Sequence, residues 1–243
     1  MASSCLPEQT GAVWSAEEQR IRAAYDRRPR DSSRYAWTSP GHLFDQQERE
    51  RQALRTLGRA ELVPLATRDI LEVGCGSGAW LGALLRWGAD PRRLRGMDLL
   101  DEPLARARRR VPQAVRLERA SAAHLPYPDG CFDIVLQATA LSSMLEASLR
   151  RRAAEEMQRV LKPGGVILWY DFHVSNPRNR DVIGIGRREI AALFPGCGVT
   201  LRRTGLAPPL MRPAARWSWL LAYLLARVPL LCTHYMGIIR PQA

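Results

Sequence analysis

Lysine is almost absent from this sequence, because Lys162 is the only one among 36 basic residues and the others are arginines spread from Arg20 to Arg240. A formal net charge of +12 and a pI near 10.5 are typical of proteins with acidic partners, such as nucleic acid, anionic lipid or a phosphorylated substrate. The bias toward arginine, however, is equally explained by the base composition of the gene. We therefore expect no nucleic-acid partner.

Cysteine is also scarce, and its pattern excludes common structural roles. The five cysteines are odd in number, contain no CxxC pair and have no zinc-site spacing: Cys5, Cys75, Cys131, Cys197 and Cys232. They are predicted to be free thiols in a reducing compartment. Residues 1–9 lack the basic and apolar regions of a signal peptide, and the apolar run 217–225 is too short to span a membrane. We expect a cytoplasmic protein without a metal site or a membrane span.

The length and composition are those of a globular protein. With 243 residues, 46% hydrophobic and 25% charged, the chain suits one α/β domain with room for an appended lobe. The start of the chain is polar and helical in pattern. Ser15 and Glu18 have capping-box spacing before a helix at 19–25, and Asp45 and Glu48 repeat that spacing. The aromatic, turn-rich segment 35–44 predicts either a loop at the domain edge or a lid over a ligand.

From Asp69 onward, short apolar strands alternate with helices. The predicted strands are 70–73, 94–99, 115–120, 132–137 and 166–170, followed after Phe172 by a helix at 187–194, a strand at 199–206, a helix at 216–227 and a strand at 235–240. This alternation predicts a Rossmann-like, doubly wound, mostly parallel seven-stranded sheet with ligands at the carboxyl ends of its strands. We expect a helical N-terminal lid or extension (1–65), a core (66–172), and a C-terminal part (173–243) with an antiparallel strand pair and an inserted helix.

The first predicted strand runs directly into a glycine-rich turn, Gly74-Cys75-Gly76-Ser77-Gly78, and a helix follows. Glycines allow a sharp turn and a close approach of a ligand, and the helix N-terminus offers unpaired N–H groups. Asp98 ends the second strand, where a carboxylate can accept hydrogen bonds from ribose hydroxyls. These features predict a nucleoside-binding unit. The same stretch also fits a dinucleotide fingerprint of the form Gly74-x-Gly76-x-x-Ala79, so at this point the nucleoside stays open.

Four segments, in chain order, resemble the motifs of class I S-adenosylmethionine (SAM)-dependent methyltransferases. They are Ile70 to Gly78, with the acid Glu72 before the first glycine; Gly96-Met97-Asp98; Leu125 to Val135; and Leu161-Lys162-Pro163-Gly164-Gly165. The resemblance covers residues 66–172. A dehydrogenase is not expected to repeat the later segments, so the resemblance favours SAM as the cofactor. It is greatest to bacterial members that modify secondary metabolites or saccharides.

The resemblance also implies which residues contact the cofactor. They are Glu72, Gly74, Cys75, Gly76 and Gly78 around the turn, Asp98 on the ribose, Leu99, Ser121 and Ala122 near the adenine, Gln137 and Ala138 beside the methionine part, and Tyr35 from the lid. The family often has an aspartate where Ser121 stands, so adenine would be held by Ser121 or by the backbone of Ala122. The structural alternative for Glu72 and Asp98 is that each caps its own turn or the following helix.

The function implied is methyl transfer to a small-molecule or saccharide acceptor, at oxygen rather than at nitrogen or carbon. A hydroxyl acceptor benefits from a general base, and histidine has a pKa near neutrality. His173, just after the fifth strand, and His42, in the aromatic segment, are the candidates. Trp217, Trp219 and Tyr223 either line the acceptor pocket or belong to the core.

Two alternative functions stay open. The positive charge suggests an RNA methyltransferase, and a SAM-binding protein without catalysis would carry the same motifs. Methylation of a flipped base at an amino group is excluded by the segment Gln137-Ala138-Thr139-Ala140, which lacks the Asn-Pro-Pro-Tyr or Asp-Pro-Pro-Tyr sequence expected there.

Overall fold

The computed structural model of the chain describes residues 6–27 and 36–242. Its sheet contains seven strands: β1 (Ile70–Val73), β2 (Leu94–Asp98), β3 (Arg116–Arg119), β4 (Phe132–Ala138), β5 (Leu161–Phe172), β6 (Cys197–Leu206) and β7 (Cys232–Pro241). The strand order across the sheet is β3-β2-β1-β4-β5-β7-β6. Strands β1 to β5 are parallel, and β7 is antiparallel to both β5 and β6. The predicted Rossmann-like sheet with a closing antiparallel pair is therefore confirmed.

Helices cover both faces of this sheet, as expected for a doubly wound fold. They are α1 (Leu6–Asp26), α2 (Pro40–Arg59), α3 (Ala79–Arg86), α4 (Asp101–Arg110), α5 (Ala147–Arg159), α6 (Arg187–Leu193), α7 (Pro208–Trp217) and α8 (Trp219–Leu225). On one face α2, α3 and α4 bury Leu57, Leu81 and Leu104 against the strands. On the other face α1, α5 and α6 pack in a separate cluster. The strand ends between these layers are thus available to a ligand.

The two N-terminal helices begin earlier than the capping-box spacings predict. Helix α1 begins at Leu6 and α2 at Pro40, so Ser15 and Asp45 both lie inside helices. A proline at the first helical position loses no hydrogen bond, because its missing N–H has no partner there in any case, and this fixes the start of α2. Residues 40–44 are consequently helical rather than part of a loop or lid. The predicted contact residue Tyr35 lies outside the described residues.

Two further boundaries differ from the predictions. Strand β5 begins at Leu161 rather than at Val166, because the Pro-Gly-Gly segment forms an irregularity in the pairing of β4 with β5 instead of a turn before it. The helix predicted at 216–227 is two helices, α7 and α8. They separate at Ser218, whose hydroxyl accepts a hydrogen bond from the Leu221 N–H at 3.3 Å and caps α8. Among the described helices, none is long and apolar enough to cross a bilayer.

Candidate functional site

A cavity of about 220 Å³ lies at the carboxyl ends of β1, β2 and β4. Strand β1 stands between β2 and β4, so the cavity occupies the point where the strand order reverses, which is where ligands bind in open α/β sheets. Nine of the residues predicted to contact the cofactor line it: Glu72, Gly74, Cys75, Gly76, Asp98, Leu99, Ser121, Ala122 and Ala138. The structure therefore brings most of the sequence-predicted set together around one cavity.

The glycine turn is held against β2 by its main chain. The N–H groups of Gly74 and Cys75 both donate to the carbonyl of Met97, each at 2.9 Å. Gly74 has a φ of +73°, and a Cβ added there would lie 2.7 Å from the Cβ of Ala140. A side chain at this position would be both strained and in collision. Glycine is thus required for the turn to lie flat against the loop after β4.

Asp98 connects the glycine turn to the loop that leads into α4. Its Oδ2 accepts a hydrogen bond from the Gly76 N–H at 2.8 Å, and its Oδ1 accepts one from the Leu100 N–H at 2.9 Å. Burial raises the pKa of this carboxyl, while the main-chain donors oppose the shift. A carboxylate has about four lone-pair sites, so Asp98 keeps acceptor capacity for the hydroxyls of a ligand.

Glu72 lies at the floor of the cavity with an unused acceptor. Its side chain is buried, and its Oε2 has no hydrogen-bond partner among the described residues. Burial raises the pKa of Glu72 well above its usual value; the nearby Arg49 lowers it and Asp98 raises it. Because a buried polar atom without a partner is costly, this oxygen indicates a ligand with a hydrogen-bond donor or a positive charge.

Arg49 and Trp80 are among the side chains that line the cavity and that the prediction from the sequence missed. The guanidinium carbon of Arg49 lies 4.6 Å from the centroid of the Trp80 ring and 5.9 Å from that of Tyr170. The sequence placed Trp80 only on the apolar face of a helix, and no local pattern indicates that α2 crosses back to the strand ends. The result is a cation facing the same cavity as Glu72.

Two predicted contact residues are not at the cavity. Gly78 is the N-cap of α3, and its φ of +74° together with a close approach to Ala107 gives it a role in helix packing. Gln137 is fully buried inside the sheet. Neither residue lines the cavity, and their contact with the cofactor stays a prediction.

Neither candidate base, His173 or His42, lines the cavity. The Nε2 of His173 is 2.9 Å from the carbonyl oxygen of Cys232, and its ring stacks on Tyr235 with centroids 4.5 Å apart. The ring of His42 packs edge-on against Trp37. Burial lowers the pKa of both histidines. Their part in catalysis stays a prediction.

The aromatic residues of the C-terminal insertion also lie away from the cavity. Neither Trp217 nor Trp219 lines the cavity; Trp217 is exposed, whereas the ring of Trp219 packs edge-on against the buried Phe44 with centroids 5.6 Å apart. Tyr223 is half-buried, with the Arg227 guanidinium carbon 4.2 Å from its ring centroid. Trp217 is therefore not part of the core, whereas Trp219 contacts the core cluster around Phe44. A role of these aromatic residues in the acceptor pocket stays a prediction.

The sequence and fold of this site match a known family. Residues 71–169 match the family model described as a methyltransferase domain. These residues form a class I SAM-dependent methyltransferase domain. The match begins inside β1 and ends inside β5, so the methyltransferase domain contains the glycine turn, Asp98 and the loop after β4.

Curated relatives are similar over the same region. A probable SAM-dependent methyltransferase of Mycolicibacterium smegmatis is 35% identical over 127 residues, which cover 50% of this chain and 42% of that protein. The 27-O-demethylrifamycin SV methyltransferase of Amycolatopsis mediterranei is 34% identical over 119 residues, 46% of this chain and 42% of that protein. The chain spans about half the length of the curated relatives it matches.

A solved structure extends the similarity of fold beyond the matched domain. The crystal structure of a SAM-dependent methyltransferase from Mesorhizobium loti superposes with a TM-score of 0.56 and 20% sequence identity, covering 77% of this chain and 97% of that one. At this identity the match shows a shared fold. SAM is the cofactor of the family to which the methyltransferase domain belongs.

Proposed function

We propose that this protein transfers a methyl group from SAM to a small-molecule or saccharide acceptor, at an oxygen atom. The observation that carries the proposal is the half-buried carboxylate of Asp98, fixed by two main-chain N–H groups at the glycine turn of a methyltransferase domain. This arrangement leaves an oriented acceptor for the ribose hydroxyls of the cofactor, and its position at the strand ends leaves the loop after β4 for the acceptor substrate.

The cavity residues fit the charged ends of SAM. Glu72 carries an unpaired buried oxygen that suits the ammonium group of the methionine part, and Arg49 offers a cation for its carboxylate. Leu99, Ser121 and Ala122 would border the adenine. The Ser121 hydroxyl already accepts a hydrogen bond from the Ala123 N–H at 3.2 Å. Its own proton remains available for donation to an adenine nitrogen.

We assign three parts of the chain to this task. Residues 66–172 would hold the cofactor, and residues 173–243 would complete the sheet and border the acceptor pocket. Residues 1–65 would cover the cofactor, since Ile21 from α1 and Arg49 from α2 both line the cavity.

SAM, when bound, supplies a methyl group on a positively charged sulfonium, which is already a good leaving group. The chain then has to orient the acceptor and exclude water, and orientation of reactants contributes up to about 7–11 kcal/mol. The apolar walls formed by Val73, Met144 and Leu149 would exclude water from the reacting atoms. His173 or His42 would take the proton of the acceptor hydroxyl, and this assignment requires that the acceptor reach from the cavity to the histidine.

The choice of oxygen rests on the sequence resemblance and on a relative. The Amycolatopsis mediterranei relative is named as the methyltransferase of 27-O-demethylrifamycin SV, a small molecule. An RNA acceptor is the second candidate, and the net charge of +12 is the observation that favours it.

Calorimetry with SAM and with NADH tests the cofactor assignment first. We expect binding of SAM, no binding of NADH, and weaker SAM binding after the change Asp98→Ala. Mass spectrometry of small-molecule hydroxyl acceptors incubated with SAM then tests the reaction, with an RNA pool assayed in parallel. Methylation of RNA alone would replace the proposed acceptor class. Binding of SAM without any turnover would favour a binding protein, and binding of NADH alone would overturn the proposal.

A further inference from the structure

The insertion between β6 and β7 exposes an unusual amount of apolar surface. Among the described residues, eight of the thirteen exposed large hydrophobic side chains lie between residues 210 and 230. The most exposed are Trp217 at 91%, Leu230 at 83% and Leu220 at 66%. We call Trp217, Trp219, Leu220, Leu221, Leu224 and Leu230 the α7–α8 patch. A contiguous apolar surface of this kind indicates a partner or a membrane rather than ordinary solvent exposure.

The insertion buries its small side chains and leaves most of its large apolar side chains exposed. The residues that α7 and α8 bury against α2 are mainly small, namely Ala214, Ala215, Ala222 and Ala226, together with Met211. Trp217, Leu220, Leu221 and Leu224 are exposed and turn outward instead, while Trp219 keeps an edge contact with Phe44 and Leu225 packs against the cluster. Folding alone would gain more from burying the larger side chains, because the hydrophobic free energy is proportional to the area removed from water. The outward orientation therefore serves something other than the core.

The insertion that carries the α7–α8 patch has charged residues of a single sign. No aspartate or glutamate follows Glu189 in the sequence, whereas six arginines do: Arg202, Arg203, Arg212, Arg216, Arg227 and Arg240. Arg212, Arg216 and Arg227 belong to the insertion itself and are exposed. Within the part of the chain that the structure describes, Arg212 and Arg216 form no ion pair. Their counter-charges must therefore come from solvent ions or from a partner.

We infer that the α7–α8 patch docks on the surface of an anionic lipid bilayer. Tryptophan and leucine side chains would enter the headgroup and upper acyl region, while arginines at the rim would pair with lipid phosphates. A second copy of the chain is a poorer partner. A two-fold contact would bring the arginines of one copy against those of the other, with no acid in the insertion to separate them. An acidic bilayer satisfies both the apolar surface and the charge.

Sedimentation of the full chain with sucrose-loaded vesicles tests this inference. We expect binding to vesicles of phosphatidylglycerol and phosphatidylcholine, weak binding to phosphatidylcholine alone, and release as NaCl is raised. The triple variant Trp217→Ser, Leu220→Ser, Leu230→Ser should lose at least about tenfold in partitioning, because each change removes an inserted side chain. A matched control, Leu54→Ser, Val63→Ser, Val174→Ser, changes exposed apolar residues elsewhere and should bind as the unaltered protein does.

A second pair of variants separates charge from apolar contact. Arg212→Gln with Arg216→Gln should abolish the preference for phosphatidylglycerol, whereas Arg55→Gln with Arg151→Gln, at two exposed arginines outside the insertion, should preserve it. Circular dichroism verifies that each variant is folded. The inference is overturned if the unaltered protein binds neither vesicle, or binds both equally. It is also overturned if light scattering shows a dimer that only the triple variant disrupts, with vesicle binding unchanged. The assay needs neither SAM nor an acceptor, so its outcome does not depend on the proposed reaction.

Discussion

Helices α3 and α8 have similar lengths and compositions, with the sequences AWLGALLR and WLLAYLL, but they use their apolar side chains in opposite ways. Helix α3 buries Trp80, Leu81 and Leu84 under the sheet. Helix α8 buries only Ala222 and leaves Leu220, Leu221 and Leu224 exposed. Apolar composition therefore sets how much surface a helix can bury, and its place in the chain decides what that surface contacts. Helix α3 follows directly from a central strand, whereas α8 lies in an excursion from the sheet edge.

The two regions differ in charge as well. The strand ends near α3 hold the buried acids Glu72 and Asp171 and the half-buried Asp98, and their environment shifts the pKa of each upward. The insertion that contains α8 has only arginines as charged residues. The methyltransferase domain thus keeps desolvated acceptors for a small ligand, and the insertion presents solvated cations to a large surface.

The largest expected effect concerns the core contact of α3. The change Leu81→Ala should lower the free energy of unfolding by about 2–5 kcal/mol, because it leaves a cavity in a close-packed interior. Leu81 is fully buried, and its Cδ1 lies against Gly96 of β2. Urea denaturation followed by circular dichroism measures the loss. A loss below about 1 kcal/mol, the size of an average substitution, would contradict the assigned packing of α3.

The buried acid Asp171 predicts a pH dependence of stability. Burial raises its pKa to about 6, although it accepts hydrogen bonds from the main-chain N–H groups of Ser142 and Phe172. Between about pH 4 and pH 6 the folded protein keeps this proton while the unfolded chain has lost it, so stability falls as pH rises through that window.

The magnitude of this pH effect follows from the size of the shift. Relative to Asp171→Asn, which does not titrate, the native protein should lose about 2 kcal/mol of unfolding free energy from pH 4 to pH 6.5. Urea denaturation of both proteins across this range measures the difference. A constant difference would show that Asp171 is not protonated in the fold. Because the insertion contains no acid, it contributes nothing to this slope.

The sequence predicted the strands of the core and most of the cavity lining because both depend on local patterns. Alternating apolar strands, a glycine turn and an acid at the end of β2 are sufficient to place Asp98 at Gly76. Contacts between segments that are distant in the chain have no such local pattern in the sequence, so they were not predicted. Arg49 reaches the cavity only because α2 folds back across the sheet, and the outward orientation of Trp217 depends on which face of α7 meets α2.

The helix boundaries show the same limit. The capping-box spacings at Ser15 and Asp45 are real local signals, but both helices continue past them toward the N-terminus. Pro40 is the stronger signal for α2, since it can occupy the first helical turn without loss. His173 is a candidate base for its chemistry and its place after β5, and His42 for its chemistry and its place in the aromatic segment, but chemistry alone does not determine the direction in which a side chain points.

Losses of intermediate size in SAM binding free energy are expected from changes at the two ends of the cofactor cavity. The change Asp98→Ala should weaken SAM binding by about 1–3 kcal/mol, because it removes the acceptor for the ribose and leaves the Gly76 N–H unpaired. Ser121→Ala should cost about 0.5–1.5 kcal/mol, the net value of one neutral hydrogen bond. Calorimetric titration of both variants with SAM gives the two losses in binding free energy, which can then be compared. An equal loss at both positions would show that adenine is held as firmly as ribose, and no loss for Asp98→Ala would reject its ribose role.

The smallest expected effect is that of a leucine-to-alanine change in the insertion, matched to the change proposed for Leu81 in α3. Leu220→Ala, unlike Leu81→Ala, should change the free energy of unfolding by no more than about 0.5 kcal/mol, because a side chain that is mostly in water loses little when it is shortened. The same urea denaturation serves for both variants, so the comparison is internal. If Leu220→Ala destabilised the protein as much as Leu81→Ala, the leucines of α8 would be part of the core and the docking surface would not exist. A neutral change leaves Leu220 available for contact outside the fold, which is the condition that binding to a bilayer requires.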